Sequence, residues 1–439
     1  MAEAASRVRT LPLVLGMTFC VLLSQFAARR LGFSHVSDDD YARVVIAQGF
    51  ALHPKLDPSG TSWLPLPFYW TGAAMMALGR TLRAAQVIAG LVSLLVGPLL
   101  LFAGLRAGLS RRAAITGTLA FLLSPWSVWL GLATVPELPT AALASAGFLL
   151  ALAAPLRDRA LGIALVGAAS LCRYEAWPIA AAVAALHAVH AKRTRNAGAL
   201  GLSALALVGP VSWVLWNQHA HGEALHFITR VSRFRERAGL AGSLASNLLF
   251  YPKAWLTDAP ESALLLPVLA LGARDPRLRK LLGSVLLALG FLVLGCIRNG
   301  APTHHPVRAL VCAVPLLMLG AAQAIDVWAQ GARVPSWSRP LWAWLPVGLA
   351  VLLCVLRLPS PPGASADEDR SFAIELGRSL RDQVPATQRL LVQPCRYEHF
   401  AFIAAFGRPE DVDIGPQNET SQNASGGAAG PCPRVRPNP

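Results

Sequence analysis

The chain has 439 residues, of which 54% are hydrophobic and 14% charged, with a mean hydropathy of +0.47. Soluble domains carry about a quarter charged residues. This composition therefore excludes a soluble enzyme, a secreted disulfide scaffold and a disordered chain, and reads as an all-α polytopic membrane protein. Lys and Arg total 39 against 24 Asp and Glu, a net charge of +15. Most of the basic residues sit in short gaps between apolar runs, where they orient spans and meet anionic headgroups. No zinc-finger spacing and no aromatic–basic interleaving points to nucleic acid as a partner.

Arg7 and Arg9 precede an apolar run over about 11–27, and Arg29 and Arg30 follow it in place of a small-residue cleavage site. An uncleaved first span with a cytoplasmic N-terminus is expected. The apolar stretch 64–79 is only 16 residues long and opens with Pro65 and Pro67. If it crossed, the basic loops holding Arg106, Arg111 and Arg112, then Lys192, Arg193 and Arg195, then Arg274 to Lys280 would all face outward. The positive-inside rule opposes that, so 64–79 is expected to lie flat at the outer interface. Further spans are expected at 84–105, 113–131, 138–156, 198–216, 260–273, 281–297, 307–325 and 340–357. The stretch 160–190 has basic flanks on both sides and carries Arg173-Tyr174-Glu175 and Pro178 at its middle. It reads as a pair of short helices turning at 173–178 within a protein-lined cavity.

About 11 crossings result, in an inner or plasma membrane, with the C-terminus and two large loops (about 28–83 and 217–259) extracytoplasmic. Residues 1–358 form the transmembrane unit. A small mixed α/β extracytoplasmic region is expected over 359–415, with 371–384 helical and 389–393 strand-like, followed by a Gly/Asn/Pro-rich tail, 416–439, that reads as disordered. Five of the seven cysteines (Cys20, Cys172, Cys296, Cys312, Cys354) lie in or beside apolar runs. Cys395 and Cys432 would meet an oxidising compartment, and a disulfide between them stays open.

Ionisable residues near a bilayer are costly, so those that are kept are functional candidates. This topology puts them on the outer face: Asp38, Asp39 and Asp40 after the first span, Glu137 between the third and fourth, Arg173 and Glu175 at the hairpin tip, and His304, His305 and Arg308 at a re-entry point. Each has a plainer reading. The three Asp residues suit the start of a helix through Gln48, Glu137 suits a solvated turn, Arg173 and Glu175 suit each other, and Arg308 suits an interfacial anchor. Adjacent histidines point apart on a helix, which disfavours His304 and His305 as metal ligands, and His219 with His221 fare no better. Asp38-x-Asp40 fits a metal-binding D-x-D pattern, but away from nucleotides that is thin support, so no metal ligand is assigned and a divalent metal stays open. Arg230, Arg233, Arg235 and Arg237 read as a basic amphipathic helix anchored at headgroups.

Taken in order, these segments resemble the C-type membrane glycosyltransferases (GT-C), in particular the protein O-mannosyltransferase and aminoarabinose-transferase-like branch. Ser37-Asp38-Asp39-Asp40-Tyr41 is similar to that family's acidic pair after the first span, with Asp39 where Glu is usual. Trp63-Leu64-Pro65-Leu66-Pro67-Phe68-Tyr69-Trp70 resembles its proline-rich aromatic stretch, and Val135-Pro136-Glu137-Leu138-Pro139 its turn between the third and fourth spans. Leu171-Cys172-Arg173-Tyr174-Glu175-Ala176-Trp177-Pro178 resembles the hairpin tip, and His305-Pro306-Val307-Arg308-Ala309-Leu310 the re-entry segment, with Ala309 for the usual Tyr. The resemblance covers roughly 10–320. It implies a polyprenyl-phosphate-linked sugar donor, a reaction on the outer face and an acceptor hydroxyl on a protein, lipid or glycan, with no cofactor required. On that reading Asp38 or Asp39 is the general base, Arg173 and Arg308 hold the donor phosphate, and Glu137 and Glu175 orient Arg or sugar hydroxyls. On the same reading Trp63, Tyr69 and His305, with Phe68 and Trp70, would line the substrate groove, while an interfacial aromatic belt explains the four aromatic residues equally well. The competing readings are a transporter or flippase for a lipid-linked or anionic substrate, which would place charge at the midplane between inverted repeats, and a non-catalytic scaffold.

Overall fold

The computed structural model describes residues 2–237, 242–298, 305–331, 338–362, 369–394, 397–415 and 433–437. Local chemistry starts several of its helices: Thr81, Ser110 and Asp275 each accept a first-turn backbone N–H at 2.9, 3.1 and 2.7 Å. Helix α1 (Ala2–Arg30) contains the expected first span. It ends at two arginines ahead of Gly32, whose φ of +94° is one that side chains avoid. The first of the two large loops expected outside, the first outer loop, holds α2 (Asp39–Leu52) and α3 (Leu66–Leu78). With 13 residues, α3 extends about 20 Å, short of the hydrocarbon thickness. Helix α4 (Leu82–Arg106) follows the expected window. The window 113–131 is instead two helices, α5 (Arg111–Leu122) and α6 (Pro125–Leu130), because Pro125 brings no N–H to continue the ladder.

Next come α7 (Glu137–Ala151), α8 (Leu156–Ser170) and α9 (Trp177–Thr194). Between the last two, the chain turns through Arg173 and the 3₁₀ turn Tyr174–Ala176, as the sequence of 160–190 leads one to expect. Helices α10 (Ala197–Ala206) and α11 (Val208–His221) form a pair bent by 49°. The arginine-rich α12 (His226–Arg237) and α13 (Leu244–Asp258) occupy the second outer loop. A 104° bend then leads into Pro260–Arg274, which holds α14 (Pro260–Ala263) and α15 (Leu266–Leu271). The chain continues through α16 (Pro276–Ile297), α17 (Val307–Leu310), α18 (Val314–Gly331) and α19 (Arg339–Arg357). Among the described residues, Leu11–Arg30, Leu82–Arg106 and Pro276–Ile297 are each long and apolar enough to cross a membrane, and the two bent pairs raise the number to five. The other expected crossings are shorter or broken helices.

Helices α7 and α8 meet through glycine. A Cβ on Gly162 would lie 2.5 Å from Ala151 N, and one on Gly147 would lie 2.7 Å from Gly162 O, so the two backbones touch with no side chain between them. This close pairing brings the start of α7 beside the end of α8. Phe121, Phe148, Leu149 and Leu317 fill the main core around it.

A second core joins the C-terminal region to the first outer loop. Tyr41, Val44 and Ala47 of α2 pack with Met75 and with Ala373, Phe402 and Phe406 of α20 (Ser371–Gln383) and α21 (Glu398–Phe406). Three strands complete this region: β1 (Leu390–Gln393) lies between β2 (Val412–Ile414), parallel to it, and β3 (Arg434–Pro437), antiparallel. Leu390 faces Val412 on one side and Pro437 on the other. The sequence reads 434–437 as part of a disordered tail; here Val435 pairs with Val392. Cys395 and Cys432 lie outside the described residues, as does His304.

The loop charges lead one to expect an orientation that accessibility can test. In a background with Cys395 and Cys432 replaced by Ser, Ser379→Cys on α20 should react with a membrane-impermeant thiol reagent on sealed cells, and Arg195→Cys after α9 should not. Labelling of Arg195→Cys alone would invert the orientation.

Candidate active site

Glu137 opens α7 with its carboxylate out of solvent at 1% exposure. Its Oε1 accepts hydrogen bonds from Arg173 Nη1 at 2.7 Å and Arg308 Nε at 2.8 Å, and Arg308 Nη2 lies 2.6 Å away. Its Oε2 has no hydrogen-bond partner among the described residues. Arg173, at the tip between α8 and α9, also holds Glu175 along one edge of its guanidinium, with Nε donating to Oε2 at 3.0 Å and Nη2 to Oε1 at 2.6 Å. Arg308, on α17, donates from Nη1 to Ser37 Oγ at 2.9 Å and Asp39 Oδ2 at 3.2 Å. The four segments that the sequence analysis singles out therefore converge in one network. Glu137 is no solvated turn residue, and Arg308 at 5% exposure is no interfacial snorkeller.

The tip itself is pinned from outside. Tyr174 donates its hydroxyl proton to Ser62 O at 2.7 Å and accepts Trp213 Nε1–H at 2.9 Å, while Leu66 N–H bonds Leu171 O at 3.1 Å. These bonds tie the proline-rich segment of the first outer loop to the residues flanking Arg173.

The three aspartates have three environments. Asp38 forms no cap; its carboxylate accepts Arg370 Nε at 2.7 Å and Nη2 at 3.0 Å, a bidentate pair with the C-terminal region. Asp39 meets Arg308 and keeps 36% of its side chain exposed. Asp40 is buried and braces the backbone, accepting N–H groups of Val36 at 3.0 Å, Ser37 at 3.3 Å and Thr134 at 2.7 Å. Burial pushes the Asp40 carboxyl above its ordinary range, against the opposing pull of Arg308, His35 and those N–H groups. Through Thr134 it ties α2 to the turn that delivers Glu137.

Sequence reasoning missed Arg43 and Arg370. Arg43 lies on α2 four residues beyond Asp39, is 6% exposed and stacks its guanidinium 4.5 Å from the Trp63 ring centre. Its Nε and Nη1 make no hydrogen bond among the described residues. Burial lowers its pKa to about 10, opposed by the nearby Glu137, so it is charged at neutral pH. The i+4 spacing from Asp39 was the available signal. Arg370 had none, since the family resemblance ends near 320.

Among the proposed groove residues, Trp63 reaches the network under Arg43. Tyr69 instead donates its hydroxyl proton to Leu56 O and packs on Phe50, with ring centres 5.3 Å apart. His305 takes φ +45° and faces Trp126, with ring centres 5.6 Å apart. Among the described residues, no group of three or more His, Cys, Asp or Glu converges as a metal site.

No protein-family model matches the chain, and no curated protein matches it. Solved structures do. ArnT from Cupriavidus metallidurans bound to undecaprenyl phosphate superposes with a TM-score of 0.62 at 16% identity, covering 94% of this chain and 87% of that one. The same protein in the apo state gives 0.61 at 14% identity, covering 95% and 88%. ArnT is a GT-C aminoarabinose transferase. The likeness extends past 320 to nearly the whole chain, and together with the apolar helices it identifies a multi-pass membrane protein with the GT-C glycosyltransferase fold.

Proposed function

We propose that this protein is a membrane glycosyltransferase that moves a sugar from a polyprenyl-phosphate donor to an acceptor hydroxyl at the extracytoplasmic face. One observation carries the reading: a part-exposed carboxylate, Asp39, sits at the rim of a buried cluster holding Arg43, Arg173 and Arg308. The undecaprenyl phosphate bound by ArnT supports a lipid phosphate as donor carrier. Glycosyl transfer needs these parts. The acceptor O–H gives its proton to a carboxylate as the oxygen forms a bond to the anomeric carbon. The anomeric C–O bond breaks with its electron pair going to the phosphate oxygen, and guanidinium groups stabilise the charge that develops there.

Asp39 is the better base of the two candidates. Asp38 has both carboxylate oxygens engaged by Arg370, so its role is to hold the first turn of α2 in place. Arg173 and Arg308 take the phosphate, with Arg43 adding N–H groups that no described residue uses. Glu137 keeps those cations apart and oriented, and Glu175 fixes the second edge of Arg173.

Three substitutions separate these roles in an assay of label transfer from a radiolabelled polyprenyl-phosphate sugar. Asp39→Asn removes the base alone and should reduce turnover by a factor on the order of 100 or more with donor binding retained; Asp38→Asn should cost less. Wild-type turnover in Asp39→Asn would remove it from the chemistry. Arg308→Lys keeps the charge and loses the planar fork, so transition-state binding should weaken by about 1–3 kcal/mol while assembly persists. Full activity in that variant would leave Arg308 a structural cation. Glu137→Gln leaves two buried guanidinium groups short of a counter-charge, and thermal unfolding in detergent should show a loss of about 3–5 kcal/mol. An unchanged melting temperature would mean that the network does not depend on Glu137.

A further inference from the structure

We infer that the opposite end of the same helices is a binding site for the phosphate headgroup of an anionic phospholipid. Helices α7, α8 and α9 carry Glu137 and Arg173 at one end. At the other end they surround a cavity of about 510 Å³ lined by Arg159, Arg193 and Lys280 together with His187 and His190. The 15 residues of α7 separate the two ends by about 22 Å, so the cavity lies across most of a bilayer's hydrocarbon thickness from the proposed transfer site. The inference does not depend on what that site does.

The cavity is built for an anion. Among the described residues, no acidic side chain lines it. Asp158, beside Arg159 in sequence, is buried and committed to Arg106, whose Nε donates to it at 2.6 Å. Arg159 is itself held, with Nη2 donating to Ala154 O at 3.0 Å, and its Nε is buried with no hydrogen-bond partner among the described residues. Three cations from three separate segments thus face one space without a carboxylate, and one fixed N–H awaits an acceptor. A phosphodiester satisfies both conditions, and basic pockets between spans at a membrane boundary are suited to such headgroups.

The apolar part of the lining decides between a lipid and a soluble anion. Leu186 and Val189 line the same cavity, and Val189 is 49% exposed on the outside of α9. An acyl chain leaving the headgroup covers that surface, whereas free phosphate leaves it bare.

Native mass spectrometry of the purified full-length protein tests this by titrating phosphatidylglycerol against phosphatidylcholine. Wild type should retain phosphatidylglycerol roughly tenfold better or more. The triple variant Arg159→Gln/Arg193→Gln/Lys280→Gln should lose that preference, and the equally charge-reduced Arg195→Gln/Arg274→Gln/Arg279→Gln should keep it. Preference surviving in the cavity triple, or lost equally in both, overturns the proposal. If the cavity triple does not fold, Ala154→Trp, which blocks the mouth and leaves every charge in place, carries the test, and retained preference overturns it. Displacement of phosphatidylglycerol by inorganic phosphate alone would assign a soluble anion in place of the lipid.

Discussion

Glu137 takes hydrogen bonds on one oxygen from two guanidinium groups that arrive from 36 and 171 residues away along the chain. None of the three charges is stable there alone, because an unpaired buried charge costs several kcal/mol. Bringing them together therefore requires α7, the α8–α9 tip and α17 to be in place at the same time. The glycine contact between α7 and α8 makes the first approach possible, and the Asp40–Thr134 bonds hold the turn before Glu137 against α2. Asp39 and Arg43 ride on that same helix, so the position of the proposed base and of the spare guanidinium follows from the packing that serves Glu137.

The C-terminal region belongs to this arrangement. Arg370 clamps Asp38 beside Asp39. Gln48 of α2 donates to Ala404 O at 2.8 Å, and Arg80 pairs with Glu410 at 2.7 Å. Phe402 and Phe406 share a core with Tyr41 and Val44. The first outer loop is thus held between the helical bundle on one side and α20 and α21 on the other, and its mobility at Asp39 is limited from both. A carboxylate that must meet an acceptor hydroxyl within hydrogen-bonding reach gains from such fixing.

Much of this is legible in the residues. Basic flanks and Pro178 locate the hairpin, and the charges that the sequence groups together do meet, because the cost of isolated charge near a bilayer acts on any sequence. What escapes is long-range packing. Arg43 draws no notice in the sequence, and only its stacking on Trp63 sets it beside the cluster. The sequence sets Asp40 apart from Asp38 and Asp39 as a base but gives no sign of its bracing task, which the turn at Thr134 assigns by donating its backbone N–H to the Asp40 carboxylate. Tyr69 looks like groove lining beside Trp63, but it sits in the first turn of α3 while Trp63 precedes that helix, and its hydroxyl turns to Leu56. Hydropathy windows also pass over Pro125, where the backbone stops a helix regardless of how apolar its neighbours are.

The charged cluster around Glu137 is proposed to break a sugar–phosphate bond. The most direct measurement follows purified wild-type protein in lipid nanodiscs with a polyprenyl-phosphate sugar labelled in both the sugar and the lipid. Transfer of sugar label to acceptor with release of an equal amount of polyprenyl phosphate is expected, and that release should fall away in the Asp39→Asn variant. Donor that binds, or crosses the bilayer, with its sugar–phosphate bond intact across a panel of donor sugars and acceptor hydroxyls would contradict it and favour a carrier of lipid-linked sugar over a transferase.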